Sequence, residues 1–184
     1  MPDSGLMLTD GVVELRPWRR SDAHWYAQAV RDPQIQRFTR EPPQLTAAEV
    51  QDAIVALADQ PEVVGWCICD AATGQRLGNI ALRHEATGGS LAYWVAASAR
   101  GRGVATRALR LVSDRAVAAL ALPVLRLWTH ADNLASRRVA ERAGYQRAPG
   151  DDQQREVKGQ VWETVGYRRA APGLASHPPP AALR

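Results

Sequence analysis

Arg100-Gly101-Arg102-Gly103-Val104-Ala105 stands between a β-rich run ending at Val95 and a stretch, Val104 to Leu120, with apolar residues at Ala108, Leu111, Val112 and Ala116. That spacing is helical, so the hexapeptide is a glycine-rich turn leading from a strand into an amphipathic helix. The first N–H groups of such a helix have no intrahelical acceptor and its dipole favours negative charge, which makes the turn an anion site. Gly101 and Gly103 let backbone approach a phosphate where a Cβ would obstruct, and Arg100 and Arg102 can add charge-assisted contacts. An ordinary left-handed turn is the plainer reading of the same residues. An RGG-like RNA-binding stretch is disfavoured by its place inside a packed domain. A Walker loop requires Gly-Lys-Ser/Thr and a dinucleotide fingerprint a third glycine where Thr106 stands, so neither fits.

Outward from this turn the chain reads as one alternating α/β unit. Val12 to Arg16 is a short strand, Ser21-Asp22 caps a helix to about Val30, and Asp32-Pro33 breaks it. Thr46-Ala47-Ala48-Glu49 is a capping box, with Val50, Ile54, Leu57 and Ala58 behind it at helical spacing. The period then changes. Val63 to Cys69, Leu77 to Leu82 and Ser90 to Val95 are β-rich runs separated by turn residues, which predicts an antiparallel meander. After the long helix, Pro123 to Thr129 reads as a buried strand, Ala135 to Arg142 as a helix stopped by Gly144, and Val161 to Tyr167 as a last strand.

At 184 residues the chain suits a single domain, residues 1–169, followed by a Pro/Ala-rich flexible tail over residues 170–184. Its charge of +4 comes from 23 basic and 19 acidic residues scattered through the sequence, which permits anionic ligands and does not form a nucleic-acid-binding stripe. Cys67 and Cys69 read as buried small hydrophobes on one face of a strand, and two cysteines without a framework fit a reducing cytosol. The start, MPDSGLMLTDG, lacks a basic-then-apolar signal, and no apolar run reaches bilayer length, so a cytoplasmic protein with no membrane partner is expected. His24, His84, His130 and His177 have no metal-ligand spacing, so no metal is expected, and His130 is most simply a strand-end residue. The six tryptophans lie on separate elements and read as core and groove walls.

Arg100, Gly103 and Ala105 match the Arg/Gln-x-x-Gly-x-Gly/Ala signature of the GNAT N-acetyltransferases, and Asn133, Ser136, Val139 and Gly144-Tyr145 follow as that family's second motif does. Leu15-Arg16-Pro17-Trp18 with Asp22, Asp32-Pro33 and Tyr93-Trp94-Val95 resemble the ribosomal-protein N-terminal alanine acetyltransferase branch. The resemblance spans Val12 to Tyr167. It implies an α/β (α+β) fold with a mixed, mostly antiparallel sheet of about six to seven strands, helices on both faces, and splayed strands flanking the loop. It also implies acetyl-CoA as cosubstrate, its pyrophosphate on Arg100, Gly101, Arg102, Gly103, Val104 and Ala105, and its pantetheine against the backbone of Trp94, Val95 and Ala96. Asn133 offers an amide donor and acceptor to pantetheine, and it also reads as a helix N-cap; the two roles can coexist.

The implied activity is acetyl transfer to a primary amine, either a protein N-terminus or a small molecule. Amine attack on the thioester passes through a tetrahedral intermediate and releases the thiol. Ser136 stands where this branch places its acid, though a serine there also reads as a helix-start residue bonding backbone. Two departures mark the chain. The tyrosine used as acid by many members is Ala140 here, and Ser90 replaces the glutamate that the branch tends to carry as base. Glu85, Asp70 and Glu163 are the candidates to act through water in its place, unranked by the sequence. A coenzyme A-binding module without turnover is the alternative, and the oligomeric state is left open, a homodimer being common in the family.

Overall fold

The computed structural model describes residues 7–85 and 87–171, so the tail expected from Ala170 lies almost wholly outside the described residues. The strands are β1 (Leu8–Thr9), β2 (Val13–Pro17), β3 (Val63–Asp70), β4 (Arg76–Glu85), β5 (Gly88–Val95), β6 (Val124–His130), β7 (Gln146–Arg147), β8 (Gln153–Val157) and β9 (Gln160–Ala170). The helices are α1 (Ala23–Ala29), α2 (Pro33–Phe38), α3 (Ala47–Ala56), α4 (Val104–Leu120) and α5 (Leu134–Arg142). The sheet runs β1-β2-β3-β4-β5-β6-β9-β7, with β8 paired to β9. All its pairings are antiparallel except β5 with β6. The mixed, mostly antiparallel sheet expected from the resemblance is present, carrying nine strands; β1, β7 and β8, which the sequence did not mark as strands, account for the excess over the expected range.

Strand alternation assigns each residue a face. Val13, Leu15, Ile68, Ile80, Leu82, Leu91 and Leu125 are buried with Val104, Ala108, Leu109 and Val112, so α4 covers one face. The buried α4 stripe is apolar because Val104, Ala105, Ala108, Leu109, Val112 and Ala116 follow helical spacing, and the helix ends where Ala121 turns left-handed ahead of Pro123. On the other face Trp94 packs with Val30 and Ile35, while α1 and α3 join through Ala23, Ala27 and Val50. Helices therefore lie on both faces.

The local signals fold as their chemistry requires. Thr46 Oγ1 accepts from the Glu49 N–H at 3.2 Å and Glu49 accepts from the Thr46 N–H at 2.8 Å, completing the capping box. Asp32-Pro33 ends one helix and also starts the next. Asp32 Oδ1 accepts from the N–H groups of Gln34 and Ile35, both at 3.0 Å, and Pro33 takes the first helical position, where a missing N–H costs nothing. Cys67 and Cys69 are buried on one face, their sulfurs 3.6 Å apart.

One buried ion pair fixes α1 to the sheet. Asp22, 1% exposed, accepts from Arg16 Nη1 at 2.7 Å, Arg16 Nη2 at 2.9 Å, the Arg19 N–H at 2.9 Å and Arg76 Nη1 at 3.2 Å. Burial pulls the Asp22 pKa upward, but these donors outweigh it and the carboxyl titrates below its ordinary range. A depressed folded pKa stabilises above the unfolded value, about 3.9, and is lost as pH falls through the folded one. Asp22→Asn, which strands the Arg16 charge, is expected to cost about 3–5 kcal/mol in urea unfolding at pH 7, and the loss should shrink below about pH 4. A pH-independent difference would contradict this account.

Candidate active site

β5 and β6 touch only briefly. Their register is Gly89 with Leu125 and Ser90 with Arg126, after which the strands part. Close approach at the vertex requires glycine. A Cβ on Gly88 would lie 2.5 Å from the Val124 carbonyl oxygen, and one on Gly89 would lie 2.9 Å from Leu82 and 3.0 Å from both Leu122 and Leu125. Beyond Ser90, β5 keeps its β4 partner and offers its other edge to the gap.

Alternation of the β4–β5 ladder identifies which groups line that edge. The Ala96 N–H donates to the Leu77 carbonyl at 2.8 Å, and Trp94 pairs with Asn79, so both turn their backbone groups toward β4. Val95 and Tyr93 consequently direct theirs into the gap. Of the three positions expected to meet pantetheine through their backbone, Val95 is the one oriented to do so.

At the open end of the gap, Gly101 and Gly103 adopt φ +73° and +75°, left-handed values that side chains disfavour. A Cβ at either would meet no protein atom within 4 Å, so this face of the turn is open. Gly103 is the N-cap of α4 and has no side chain with which to satisfy the helix's first donors, leaving the N–H groups that follow it directed out of the turn. Both arginines of the turn face carboxylates. Arg100 is bound by both oxygens of Asp32, and Arg102 lies 3.6 Å from Asp70. Arg100 thus fastens the turn to the cap of α2, and the backbone N–H groups of the turn are donors available to an anion.

On the α4 side of the gap, Asn133 caps α5 by accepting from the Ser136 N–H at 3.0 Å. Ser136 Oγ is 2.9 Å from Tyr93 Oη, which also donates to the Ser136 carbonyl at 3.3 Å. Burial pushes the Tyr93 phenol well above its ordinary pKa, against a smaller opposing effect of Ser136, so it remains an O–H donor at neutral pH. Ala140 is wholly buried, and a phenol reaches Ser136 from β5 instead of from α5. The sequence placed Tyr93 on the strand without giving it a role. Its only available signal was parity, since Tyr93 and Trp94 must point to opposite faces.

The opposite side of the gap is open. Ser90 and Ala92 are exposed there, and Trp94 closes the end of the row. Trp18, Trp25, Tyr26 and Trp94 form a continuous aromatic cluster with centroids 5.1–6.3 Å apart. Glu41 holds it down, its Oε1 accepting from Tyr26 Oη at 2.6 Å and from Trp94 Nε1 at 3.1 Å. Across the gap on β6, Trp128 and His130 face the same side. His130 sits edge-on between Phe38 and Trp162, with Nδ1 accepting from the Asp132 N–H at 3.1 Å, which makes it a strand-end residue as its position suggested.

Of the carboxylates considered as substitutes at Ser90, Asp70 is engaged in the β3–β4 turn by Thr73 and Arg102, Glu163 accepts from Gln154 at 2.6 Å, and Glu85 ends β4. Glu41, in the loop after α2, is the carboxylate attached to the gap. No local pattern singled it out. Among the described residues there is no cluster of His, Cys, Asp or Glu able to hold a metal ion, and no helix is long and apolar enough to cross a membrane.

The family model described as the acetyltransferase (GNAT) domain matches residues 13–146. No protein with a curated description matches the chain in sequence. Among solved structures, Mycobacterium smegmatis RimJ in complex with CoA-disulfide superposes with a TM-score of 0.80 at 22% identity, over 93% of this chain and 88% of that one. A ribosomal-protein alanine acetyltransferase from Vibrio fischeri gives 0.79 at 14% identity, covering 93% and 100%. Spermidine N-acetyltransferase from Vibrio cholerae, in complex with CoA and spermine, gives 0.78 at 14% identity, covering 91% and 100%. At these identities the likeness is one of fold.

Asn133→Ala removes the cap that orients Ser136. It is expected to cost about 1 kcal/mol in thermal unfolding, and an unchanged melting temperature would mean that the cap contributes nothing.

Proposed function

Since the chain belongs to the GNAT acetyltransferase family, and is an N-acetyltransferase on that ground, we propose that it moves the acetyl group of acetyl-CoA onto a primary α-amine. The observation that carries this reading is the parted β5–β6 edge, which leads from the Gly101–Gly103 turn at one end to the Tyr93–Ser136 pair along its side. The pyrophosphate fits the N–H groups at the start of α4, because that turn presents donors and has no side-chain cap competing for them. Pantetheine, an amide chain, fits the exposed backbone groups of Val95 and Tyr93 as an added strand would.

In the reaction, the amine nitrogen attacks the thioester carbonyl carbon, the tetrahedral intermediate collapses with cleavage of the C–S bond, and the amine loses a proton while the thiolate gains one. Ser136 passes its hydroxyl proton to sulfur and regains one from solvent water, which also takes up the proton that the amine releases. Tyr93 Oη, 2.9 Å from Ser136 Oγ, holds the serine hydroxyl beside the gap, which makes Tyr93 a positioning residue. The missing glutamate at Ser90 bears on the acceptor. An α-amine of pKa about 7.8 is roughly one-third neutral near pH 7.5, whereas a lysine amine near 10.4 is neutral about 0.1% of the time, a difference of about 3.5 kcal/mol. A site without a strong base tolerates the first far better than the second. That α-amine belongs to a protein N-terminus, as in the ribosomal-protein acetyltransferases that share the fold, or to a small molecule.

Two measurements test this reading. Gly103→Val, which places a β-branched side chain at φ +75° in the turn, is expected to weaken acetyl-CoA binding at least tenfold, about 1.4 kcal/mol, with the domain still folded. Unchanged affinity by calorimetry would remove the turn from the cofactor site. Ser136→Ala is expected to lower kcat roughly 10²-fold in a thiol-release assay. Tyr93→Phe should lower it less and add nothing to Ser136→Ala in the double variant, since the two act as one unit. Fully additive losses would separate them.

A further inference from the structure

The loop that follows α2 bridges the open side of the gap with two opposite charges. Glu41 lies on the β5 side, bonded to Trp94 Nε1. Its neighbour Arg40 reaches the β6 side, with Cζ 5.0 Å from the Trp128 ring centroid. Arg155, projecting from β8, places its own Cζ 4.8 Å from the same ring. Two guanidiniums therefore share one indole.

Neither has a carboxylate partner among the described residues. The Arg155 Nε is buried without a hydrogen-bond acceptor. Burial and the Arg40 charge both depress the Arg155 pKa, and the opposing influence of Asp151 comes from a carboxylate already bound by Arg168. Arg126, next along the same face of β6, likewise forms no ion pair among these residues. Arg16, Arg76, Arg83, Arg100, Arg102 and Arg107 face carboxylates, and exposed arginines such as Arg19, Arg20 and Arg31 reach solvent instead; Arg155 has neither a carboxylate nor full access to water. A half-buried guanidinium, Arg155, sharing one ring with the exposed Arg40, neither with a counterion among the described residues, is complementary to an anion.

We propose that the acceptor is an amine carrying an anionic group a few bonds away, with the amine drawn to Glu41 and the anion held between Arg40 and Arg155 over Trp128. This rests on the transferase reading for the location of the acceptor. It also excludes polycations as good acceptors, because a polyamine or an aminoglycoside brings further ammonium groups against the two guanidiniums. The anion can be an acidic side chain near a peptide N-terminus or the carboxylate of a free amino acid, and the chemistry recognised is the same.

The test is calorimetric binding to the full chain in the presence of CoA, which requires no turnover. The ligands are alanyl-glutamyl-alanine amide, its glutaminyl and lysyl counterparts, free alanine, alanine amide and spermidine. The acidic peptide should bind at least tenfold more tightly than the glutaminyl one, with the lysyl peptide and spermidine weakest. If free alanine outbinds alanine amide by a similar factor, the α-carboxylate is also accepted as the anion. In the Arg40→Gln/Arg155→Gln variant the acidic-over-neutral ratio should fall below threefold. That ratio is internal to each protein, so a general loss of folding does not imitate it. A wild-type ratio within threefold, a preference that survives the double variant, or no binding of any anionic ligand would overturn the proposal. Charge-selective binding without thiol release from any amine would leave the anion site standing and overturn the transferase reading alone.

Discussion

The organisation of this molecule depends on a contact that is made and then abandoned. β5 and β6 meet at Gly89–Leu125 and Ser90–Arg126 and nowhere further along. Meeting at all requires the missing Cβ atoms of Gly88 and Gly89, against which Val124, Leu82, Leu122 and Leu125 are closely packed. Parting afterwards leaves one edge of a central strand with unsatisfied backbone groups, a condition that a folded protein rarely keeps away from solvent without a ligand to meet it. The unpaired edge is thus a consequence of glycine at the vertex and of what each strand does beyond it.

Because successive residues on β5 point to opposite faces, the parted edge separates two chemistries. Tyr93 reaches through to Ser136 at the capped start of α5, while Trp94 turns to Glu41 and the aromatic cluster beneath α1. In the proposed reaction the proton donor for the leaving thiol and the surface that meets the incoming amine are on opposite sides of one strand, which is the arrangement that attack from one side and departure toward the other needs. The Arg100–Asp32 pair joins the two regions: the turn at the start of α4 is fastened to the helix whose following loop carries Arg40 and Glu41.

What could be read in the sequence was what is decided locally. The capping box at Thr46–Glu49, the glycine turn into α4 and the Asn133 cap of α5 each depend on residues within a few positions of one another, and the GNAT resemblance extended those readings to a whole fold. What could not be read depends on distance along the chain. β8 has little apolar alternation, and its signal was the turn through Lys158 and Gly159, both at positive φ. The partners of Arg100 and Arg102 are acids far earlier in the chain. Glu41 lies in a loop with no motif, and its importance follows only from two hydrogen bonds to rings on other elements. Tyr93 was visible as a strand residue, but its hydroxyl acquires meaning only when Ser136 is brought beside it.

The proposed course of acetyl-CoA is along the parted edge of β5, between that strand and β6. Amide hydrogen exchange with and without acetyl-CoA tests it most directly. Slowed exchange is expected at Tyr93, Val95 and the amides from Gly101 to Ala105, with Trp94 and Ala96 little changed because β4 already holds them. Exchange that is unaltered along this edge and turn, with saturating acetyl-CoA present, would contradict it.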